Sequence, residues 1–411
     1  MIKIAPLQGI SMIKPTLFGY GLTTKAIAKK LGGGCTFFDD NTSEPYIDDN
    51  NNQIFPSAMF DPQKSKLEVT TPSLKPSNPL IQKAQNLLSE YDYFAKEMPF
   101  SIWISGTNGK TTTTQMLTHL LTKRGAISGG NIGTPLAELD TNAPIWVLES
   151  SSFTLHHTNI ASPNIYLLLP ITPDHLDWHE TPEQYEADKL KPLLTMKEGE
   201  LALVPKGLNL PKTNAFVVEY DSAEFLANYF EIDASKIRFK AAFLEDALMA
   251  LAVTKVLFDE IDYELINAFQ LDNHRQEEKI DKYNRLWVND SKATNLDATI
   301  QAIKGYNDRF IRLIIGGDDK GIDLRPLFEL LSTQEVKLYT IGSNINRLAT
   351  LCKEYNITYS ECNNLKKAVT LISDERTHND VAILSPAAAS LDQFISYKER
   401  GNLFFRLIDN L

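Results

Sequence analysis

The sequence predicts an α/β protein that is built from several domains with largely parallel sheets. At 411 residues the chain is too long for one ordinary domain. Apolar segments such as "APIWVLESSSF" and "NIYLLLPITPDHLD" lack the strict alternation of a half-exposed strand, which is typical of strands buried in a parallel sheet. Helical stretches separate these segments, and that alternation indicates an α/β architecture.

The first region covers residues 1–97. A glycine turn leads into a predicted helix within "PTLFGYGLTTKAIAKKLGG", and "CTFFDD" is predicted to be the next strand. After the Pro-rich connection "TTPSLKPSNP", a helix is predicted over "LIQKAQNLLSEYDYFAK". The turn has Gly19 and Gly21 but carries Thr24 where a dinucleotide fingerprint needs its third glycine, so it does not indicate a nicotinamide site.

Two further regions follow, residues 98–271 and 272–411. The second begins with "SIWISGTNGKTTTTQMLTHLLTKRG", which predicts a strand, a loop and a helix, and the helix "LEDALMALAVTKVLF" closes it. The third contains the predicted strands "RLWVND", "FIRLIIGG", "VKLYTIG" and "DVAILSP" between helical stretches. This pattern predicts a doubly wound sheet.

Charge and composition exclude several classes of partner. A net charge of −11 argues against broad binding to nucleic acid or to an anionic membrane surface. The N-terminal stretch has no apolar core of secretory length, and no run approaches a membrane span. Three scattered cysteines, Cys35, Cys352 and Cys362, fit a reducing compartment. We therefore expect a cytoplasmic protein that acts on small molecules.

The segment "SGTNGKTT" predicts a phosphate-binding loop. A strand that runs through glycines into a helix aims backbone N–H groups outward, which suits phosphate. Lys110 adds a cation, and Thr111 offers a hydroxyl to Mg²⁺. Only two residues separate Gly106 from Gly109, where the common loop has four between its first glycine and its Gly-Lys pair. The alternative is a glycine turn with a surface lysine, but the strand–loop–helix context favours a nucleotide site.

Polar residues follow the other strands of the second region. Glu149 ends one strand, His175 lies in "PDHLDWH" after the next, and Lys189 comes fourteen residues later. Ligands of open α/β sheets bind at such strand ends, where a carboxylate is a natural Mg²⁺ ligand. Taken alone, Glu149 reads as a helix cap, His175 as a structural histidine and Lys189 as a solvated residue.

Three loops of the third region also end strands with polar residues: "WVNDSKATN", "IIGGDDKG" and "ILSPAAASLDQF". Each is an ordinary polar loop by itself. Two of them carry lysine, Lys292 and Lys320, so together they predict a pocket for an anionic substrate.

Eight ordered motifs resemble the Mur ligases, which are ATP-dependent amide ligases of peptidoglycan precursor synthesis. They are "SGTNGKTT", "NIGTPL", "LESSSF", "DHLD", "NHR", "NDSKATN", "GGDDKG" and "SPAAASLDQF". The last motifs resemble the D-glutamate-adding branch, and the DNPR-type motif of the diaminopimelate-adding branch is absent from the sequence. The resemblance implies three domains: an N-terminal Rossmann-like domain, a central P-loop ATPase-type parallel sheet and a C-terminal Rossmann-like domain.

The resemblance also implies roles for individual residues. Catalysis would fall to Lys110, Glu149, His175 and Lys189. ATP would be bound by Gly106, Thr107, Asn108, Gly109, Lys110, Thr111, Thr112, Arg275 and Asp290. Two Mg²⁺ ions would be held by Thr111, Glu149, His175 and a carbamylated Lys189. Substrate would be bound by Gly21, Leu22, Thr23, Asn131, Ser151, Lys292, Thr294, Lys320, Ser390 and Leu391.

The implied activity is the joining of D-glutamate to UDP-N-acetylmuramoyl-L-alanine through an acyl phosphate, by a monomer. Three positions depart from the family pattern: Pro170 replaces asparagine, Thr154 replaces glutamine, and "AFLED" stands in place of His-Asn-x-x-Asn near the adenine. Two alternatives remain at this point. One is a related ligase such as folylpolyglutamate synthase, and the other is a UDP-sugar-binding regulatory protein without catalysis.

Overall fold

The computed structural model describes residues 14–377 and 379–411 of the chain. Three six-stranded sheets follow one another along this part, which confirms the predicted α/β class. The chain divides into two compact units, one of residues up to Ile232 with Met249–Asp262 and one of Asp233–Leu248 with Tyr263–Leu411. The first thirteen residues of the predicted 1–97 region lie outside the described residues.

The first sheet has the strand order β3-β4-β2-β1-β5-β6, and it is parallel except between β3 and β4. Its strands are β1 Thr16–Phe18, β2 Thr36–Asp39, β3 Tyr46–Ile47, β4 Gln53–Pro56, β5 Glu68–Thr70 and β6 Leu87–Leu88. Its helices are α1 Leu22–Lys30, α2 Pro79–Lys83 and α3 Glu90–Phe94. The predicted glycine turn, first helix and "CTFFDD" strand are confirmed.

The single helix predicted over residues 80–96 is wrong, because strand β6 interrupts it. Leu87 and Leu88 pair with β5 in a parallel ladder, and the Asn86 N–H donates to Glu68 Oε2 at 2.8 Å. The Ser89 hydroxyl accepts from the Asp92 N–H and starts α3 afresh. Pairing with a distant strand thus overrides the local helix propensity.

Glu90 on α3 makes the stability of the folded protein depend on pH. Its carboxyl is buried and accepts from the Ala137 N–H, and burial raises the pKa of Glu90 to about 7. The folded state therefore holds this proton more tightly than the unfolded chain does. The contribution to stability is complete at low pH and is lost as the pH rises through the folded pKa.

We therefore expect Glu90→Gln to gain stability over the parent as the pH rises. Between about pH 4 and pH 8 the difference in unfolding free energy should grow by up to about 3 kcal/mol in favour of the variant. Denaturant melts at several pH values measure this difference. Glu44→Gln, at an exposed position, is the matched control and should follow the parent. A constant difference would contradict the assigned pKa.

The central sheet is parallel throughout, in the order β12-β11-β10-β7-β9-β8. Its strands are β7 Phe100–Ser105, β8 Ala126–Gly130, β9 Ile145–Glu149, β10 Ile165–Leu168, β11 Leu201–Pro205 and β12 Phe216–Tyr220. The helices along this stretch are α4 Lys110–Leu121, α5 Ser152–His157, α6 Leu176–His179, α7 Pro182–Leu190, α8 Pro192–Thr195, α9 Ala223–Tyr229 and α10 Ala241–Phe258. Every residue of β9 and β10 is buried, as the non-alternating sequence predicted.

The third sheet has the order β13-β14-β18-β15-β16-β17 and is parallel except for its β13–β14 edge. Its strands are β13 Glu277–Ile280, β14 Leu286–Asn289, β15 Ile311–Ile315, β16 Val336–Ile341, β17 Thr358–Asn363 and β18 Val381–Leu384. Its helices are α11 Tyr263–Ala268, α12 Leu296–Lys304, α13 Arg325–Leu331, α14 Ile345–Glu354, α15 Leu365–Glu375 and α16 Tyr397–Asp409.

Alternate residues of these strands enter two separate cores. Val288 and Leu313 belong to one core, while Trp287 and Ile314 belong to the other. Because neighbouring side chains on a strand point to opposite faces, both faces of the sheet are covered. The predicted doubly wound sheet is confirmed. In the part of the chain that the structure covers, no helix is long and apolar enough to cross a membrane.

Candidate active site

The loop of residues 106–109 joins β7 to α4 at the carboxyl edge of the central sheet. Gly106 and Gly109 have φ values of 143° and 84°, which glycine adopts without strain. A Cβ on Gly106 would lie 2.5 Å from the Leu169 side chain, so the loop packs directly on the end of β10. The Thr107 N–H donates to the carbonyl of Pro170 at 3.1 Å, so the proline that replaces the family asparagine still supports this loop.

Two lysine ammonium groups converge on one carbonyl of this loop. Lys110 Nζ lies 2.9 Å from the Gly106 oxygen and 2.8 Å from the Thr107 oxygen, and Lys189 Nζ lies 2.8 Å from the same Gly106 oxygen. Lys189 is only 1% exposed. Burial, and then the charge of Lys110, lower the pKa of Lys189 well below its usual value. The amine of Lys189 is therefore readily available in its neutral, nucleophilic form.

Tyr185 is a residue of this site that the sequence analysis did not identify. Its hydroxyl lies 3.1 Å from Thr107 Oγ1, and its ring centroid lies 4.6 Å from Lys189 Nζ. Tyr185 and Lys189 are four residues apart on α7 and so share one face of the helix. Once Lys189 is identified, this four-residue spacing is the sequence signal that could have identified Tyr185.

Glu149 ends β9, the neighbour of β7, with its side chain only 3% exposed. Oε1 accepts from the Asn131 amide at 2.6 Å, and the Asn131 N–H donates to the Glu149 carbonyl at 2.8 Å. Oε2 is buried and has no hydrogen-bond partner among the described residues. A buried carboxylate oxygen without a partner is costly, so this position is suited to a cation.

His175 and Ser151 occupy different environments at the same edge. His175 has a φ of 53° at the start of α6, half of its side chain is exposed, and burial of the rest lowers its pKa. Its ring lies 4.9 Å from that of Phe153, and its Nε2 lies 3.6 Å from Asp174. The Ser151 hydroxyl accepts from the Thr154 N–H at 3.1 Å and caps α5.

The other residues assigned to this half lie near the starts of two helices. Asn108 belongs to the phosphate loop, Thr111 and Thr112 lie in the first turn of α4, and Thr112 is buried. Gly21, Leu22 and Thr23 lie at the start of α1, where Leu22 is exposed. The Thr24 hydroxyl, not predicted as part of the site, donates to the Gly19 carbonyl at 2.6 Å and holds this turn.

In the second unit, Asp290 follows β14 and is buried. Its Oδ2 accepts from the Ser385 hydroxyl at 2.8 Å, and its Oδ1 accepts from the Gln276 N–H at 3.2 Å. Burial raises the pKa of Asp290 to about 7. Arg275 Nε is buried and has no hydrogen-bond partner within the described ranges.

The three polar loops of the third region do lie at one edge, because β14, β18 and β15 are neighbours in the sheet. Asp318 and Ala389 exchange two backbone hydrogen bonds of 3.0 and 2.8 Å, which ties two of the loops together. Lys292 Nζ lies 3.8 Å from Asp272. The predicted substrate residues differ in exposure: Thr294, Lys320 and Leu391 are exposed, whereas Ser390 is buried.

Arg400 on α16 links two of these loops through hydrogen bonds, and the sequence patterns did not identify it. Its guanidinium is 1% exposed and donates to the Ser291 hydroxyl at 3.0 Å, the Ser291 carbonyl at 2.9 Å and the Ala388 carbonyl at 3.2 Å. Burial lowers its pKa to about 10. An arginine in an amphipathic helix gives no sequence signal for a role of this kind.

We expect Arg400→Met to lower the unfolding free energy by about 2–4 kcal/mol, because it leaves buried oxygens of two loops without donors. Denaturant melts followed by tryptophan fluorescence measure this loss. The matched control is Arg406→Met at an exposed position of the same helix, which should stay close to the parent. Equal stability of both variants would contradict a supporting role for Arg400.

Comparison with known proteins identifies the family. The "Mur ligase middle domain" family model matches residues 104–210. A UDP-N-acetylmuramoylalanine–D-glutamate ligase of Campylobacter jejuni is 49% identical over 402 residues, which cover 97% of this chain and 100% of that protein. A ligase of the same name from Helicobacter pylori is 44% identical over 415 residues, covering 95% of this chain and 98% of its own length.

Solved structures agree on the fold. MurF ligase from Thermotoga maritima, in complex with ADP, superposes with a TM-score of 0.55 at 14% identity, covering 84% of this chain and 88% of that one. The UDP-N-acetylmuramate-alanine ligase MurC from the same organism gives a TM-score of 0.53 at 15% identity, covering 96% and 98%. With the near full-length identity above, the chain belongs to the Mur ligase family, in the branch of the UDP-N-acetylmuramoylalanine–D-glutamate ligases.

Proposed function

We propose that this protein is an ATP-dependent ligase that adds D-glutamate to UDP-N-acetylmuramoyl-L-alanine in peptidoglycan precursor synthesis. Near full-length identity to ligases of that name supports the substrates. The observation that carries the chemistry is the convergence of Lys110 and Lys189 on the Gly106 carbonyl, at the sheet edge where Glu149 ends the neighbouring strand. The protein acts as a cytoplasmic monomer with domains 1–97, 98–271 and 272–411.

A carboxylate must be activated before an amine can attack it, because it is anionic and has no good leaving group. Transfer of the γ-phosphoryl group of ATP to the alanyl carboxylate gives an acyl phosphate, which the amine of D-glutamate then attacks with release of phosphate. The transfer brings anionic oxygens together, so the site must offset their repulsion. Lys110 and the backbone N–H groups of residues 106–112, apart from that of Thr107, would do this at the phosphates, and Arg275 and Asp290 would contact the nucleotide.

Magnesium fits the donor groups of this site. Glu149 has a buried oxygen without a hydrogen-bond partner in residues 14–377 and 379–411, and the Thr111 hydroxyl lies on the first turn of α4. These two residues would hold one ion, and His175 with a modified Lys189 would hold the other. When bound, Mg²⁺ neutralises charge on the phosphate oxygens. The orphan oxygen of Glu149 is the structural feature that this assignment explains.

Lys189 is proposed to carry a carbamate. The neutral amine attacks CO₂, a C–N bond forms, and one proton is released, so that the side chain ends in a carboxylate. This conversion exchanges a buried amine, 2.8 Å from the Gly106 carbonyl, for an anionic oxygen ligand. Its charge then matches a second metal ion, whereas an ammonium group could not serve as a ligand.

The remaining assignments concern the two substrates. Gly21, Leu22 and Thr23 would contact the UDP part, and Asn131 and Ser151 the region of the acyl phosphate. The glutamate would be held by Lys292, Thr294, Lys320, Ser390 and Leu391. The two lysines would pair with its carboxylates. Phe243 and Asp246 stand where the family pattern has asparagines, so the adenine contacts of this chain differ from that pattern.

The function is tested by phosphate release from ATP in the presence of Mg²⁺ and UDP-N-acetylmuramoyl-L-alanine. D-Glutamate, L-glutamate, L-lysine and meso-diaminopimelate are offered in turn, and we expect release with D-glutamate only. Release with a different amino acid would overturn the specificity. The absence of release with all four would favour a binding protein, and folylpolyglutamate synthase activity is checked with a folate acceptor.

A further inference from the structure

Two histidines and one aspartate converge beside the candidate active site. His156 lies on α5, His179 is the last residue of α6, and Asp188 lies on α7. The Nδ1 atoms of His156 and His179 lie 2.8 and 2.9 Å from the same oxygen, Asp188 Oδ2. All three donor atoms fall within 4.8 Å of one another. None of these residues has a role in the proposed reaction.

The second carboxylate oxygen of Asp188 and the second ring nitrogen of His179 are also hydrogen-bonded. Gln184 donates to the other oxygen of Asp188 at 2.9 Å, and His179 Nε2 lies 2.9 Å from the Ser152 hydroxyl. Metal-binding histidines and carboxylates characteristically have such outer partners, which fix the histidine tautomer and the orientation of the donor atoms.

The surroundings of the cluster exclude water from most of it. His179 and Asp188 are buried, and the rings of Phe153 and Trp178 lie 5.5 and 4.5 Å from that of His179. The His156 side chain is 22% exposed, which gives a path from the solvent. A charged ligand is therefore held in a low-dielectric site with one open side.

We propose that His156, His179 and Asp188 bind one divalent transition-metal ion of the zinc type, at a site separate from the residues assigned to magnesium. Two imidazole nitrogens and one carboxylate oxygen are a donor set that Zn²⁺ favours and that Mg²⁺, which prefers oxygen, does not. Water takes the fourth position on the open side. In the ion-free protein the Nδ1–H group of each histidine donates to Asp188. Binding of the ion at Nδ1 shifts each imidazole to its Nε2–H tautomer, in which His179 donates to the Ser152 hydroxyl.

The ion would join three helices at one point. Asp188 immediately precedes Lys189, and Ser152 lies three residues after Glu149, so the ion would brace the segments that carry two of the four proposed magnesium ligands. Its role is structural, because no donor of the cluster contacts the Gly106 carbonyl loop in the described hydrogen bonds. The proposal therefore stands whether or not the ligase specificity is as proposed.

The test is metal binding by the full-length chain after chelator treatment, in excess Mg²⁺ so that oxygen-rich sites are filled. Zn²⁺ is titrated calorimetrically, and Co²⁺ is added separately because its visible absorption reports four-coordinate nitrogen and oxygen donors. We expect one equivalent to bind. Asp188→Asn and His156→Asn should each weaken binding by more than about tenfold.

The matched control is His157→Asn. His157 is the next residue on α5, but its Nε2 contacts the Leu74 carbonyl instead of the cluster, so this variant should bind Zn²⁺ as the parent does. His156→Asn alters the most exposed of the three ligands and is the variant least expected to unfold; circular dichroism checks this. Failure of the parent to bind one equivalent, or unchanged binding by folded His156→Asn, would overturn the proposal.

Discussion

Replacing Lys189 by alanine is expected to abolish ligase activity, with a loss of at least about a thousandfold in kcat, and short carboxylic acids should restore part of it. The reason is the change of charge proposed at this position. On this proposal the buried amine would become a carbamate that serves as a metal ligand, and alanine would remove that ligand but leave space for a small carboxylate. Phosphate release with and without added formate or acetate measures both effects.

The same proposal requires dependence on CO₂. Parent enzyme prepared and assayed in degassed, bicarbonate-free buffer should lose activity and regain it when bicarbonate is added, and labelled bicarbonate should give a carbamate carbon signal that is absent from Lys189→Ala. Lys197→Ala, at an exposed position of the same domain, is the matched control and should behave as the parent. Near-normal turnover by Lys189→Ala would rule out the assigned role.

Local patterns in the sequence were sufficient for much of the fold. Apolar runs such as "IYLLL" predicted buried parallel strands because the strands of a parallel sheet are covered on both faces. The edge strands β13 and β17 escaped prediction because "EEKI" and "TYSECN" consist mostly of polar residues. The prediction of a single helix over residues 80–96 was wrong because Leu87 and Leu88 pair with β5, and local sequence patterns do not reveal a long-range interaction of this kind.

The residues of the candidate site also fall into those that local sequence patterns predict and those that only the fold brings together. The position of the loop of residues 106–109 was predictable because its glycines and Lys110 lie within five residues, and that of Glu149 because it ends a strand beside that loop. Arg400 was not, since its partners lie 109 and 12 residues away and only the fold brings them together. The assignment of His156, His179 and Asp188 likewise needed three helices in place. Lys189 was identified only through the family resemblance, because its burial is invisible in "YEADKL".

Glu149→Gln should separate function from folding more sharply than any other single change. The carboxylate is buried, with one oxygen satisfied by Asn131 and the other without a partner in the part of the chain that the structure describes. Glutamine keeps the shape and the oxygen that accepts from Asn131, but it removes the charge that the proposed magnesium ion requires. We expect kcat/KM to fall by about a thousandfold, with a higher Mg²⁺ concentration needed for half-maximal rate.

The unfolding free energy of Glu149→Gln should be equal to that of the parent or higher. A buried charge that lacks a partner destabilises the folded state in the absence of a cation, so its removal should leave the unfolding free energy of the metal-free protein unchanged or raise it. Added Mg²⁺ with nucleotide should raise the melting temperature of the parent but not of the variant, because only the parent gains a bound ion on folding. Glu219→Gln, on the exposed side of β12 in the same sheet, is the matched control and should retain both the activity and the Mg²⁺ response. A variant that lost activity and stability together would instead indicate that Glu149 serves the packing of the sheet edge.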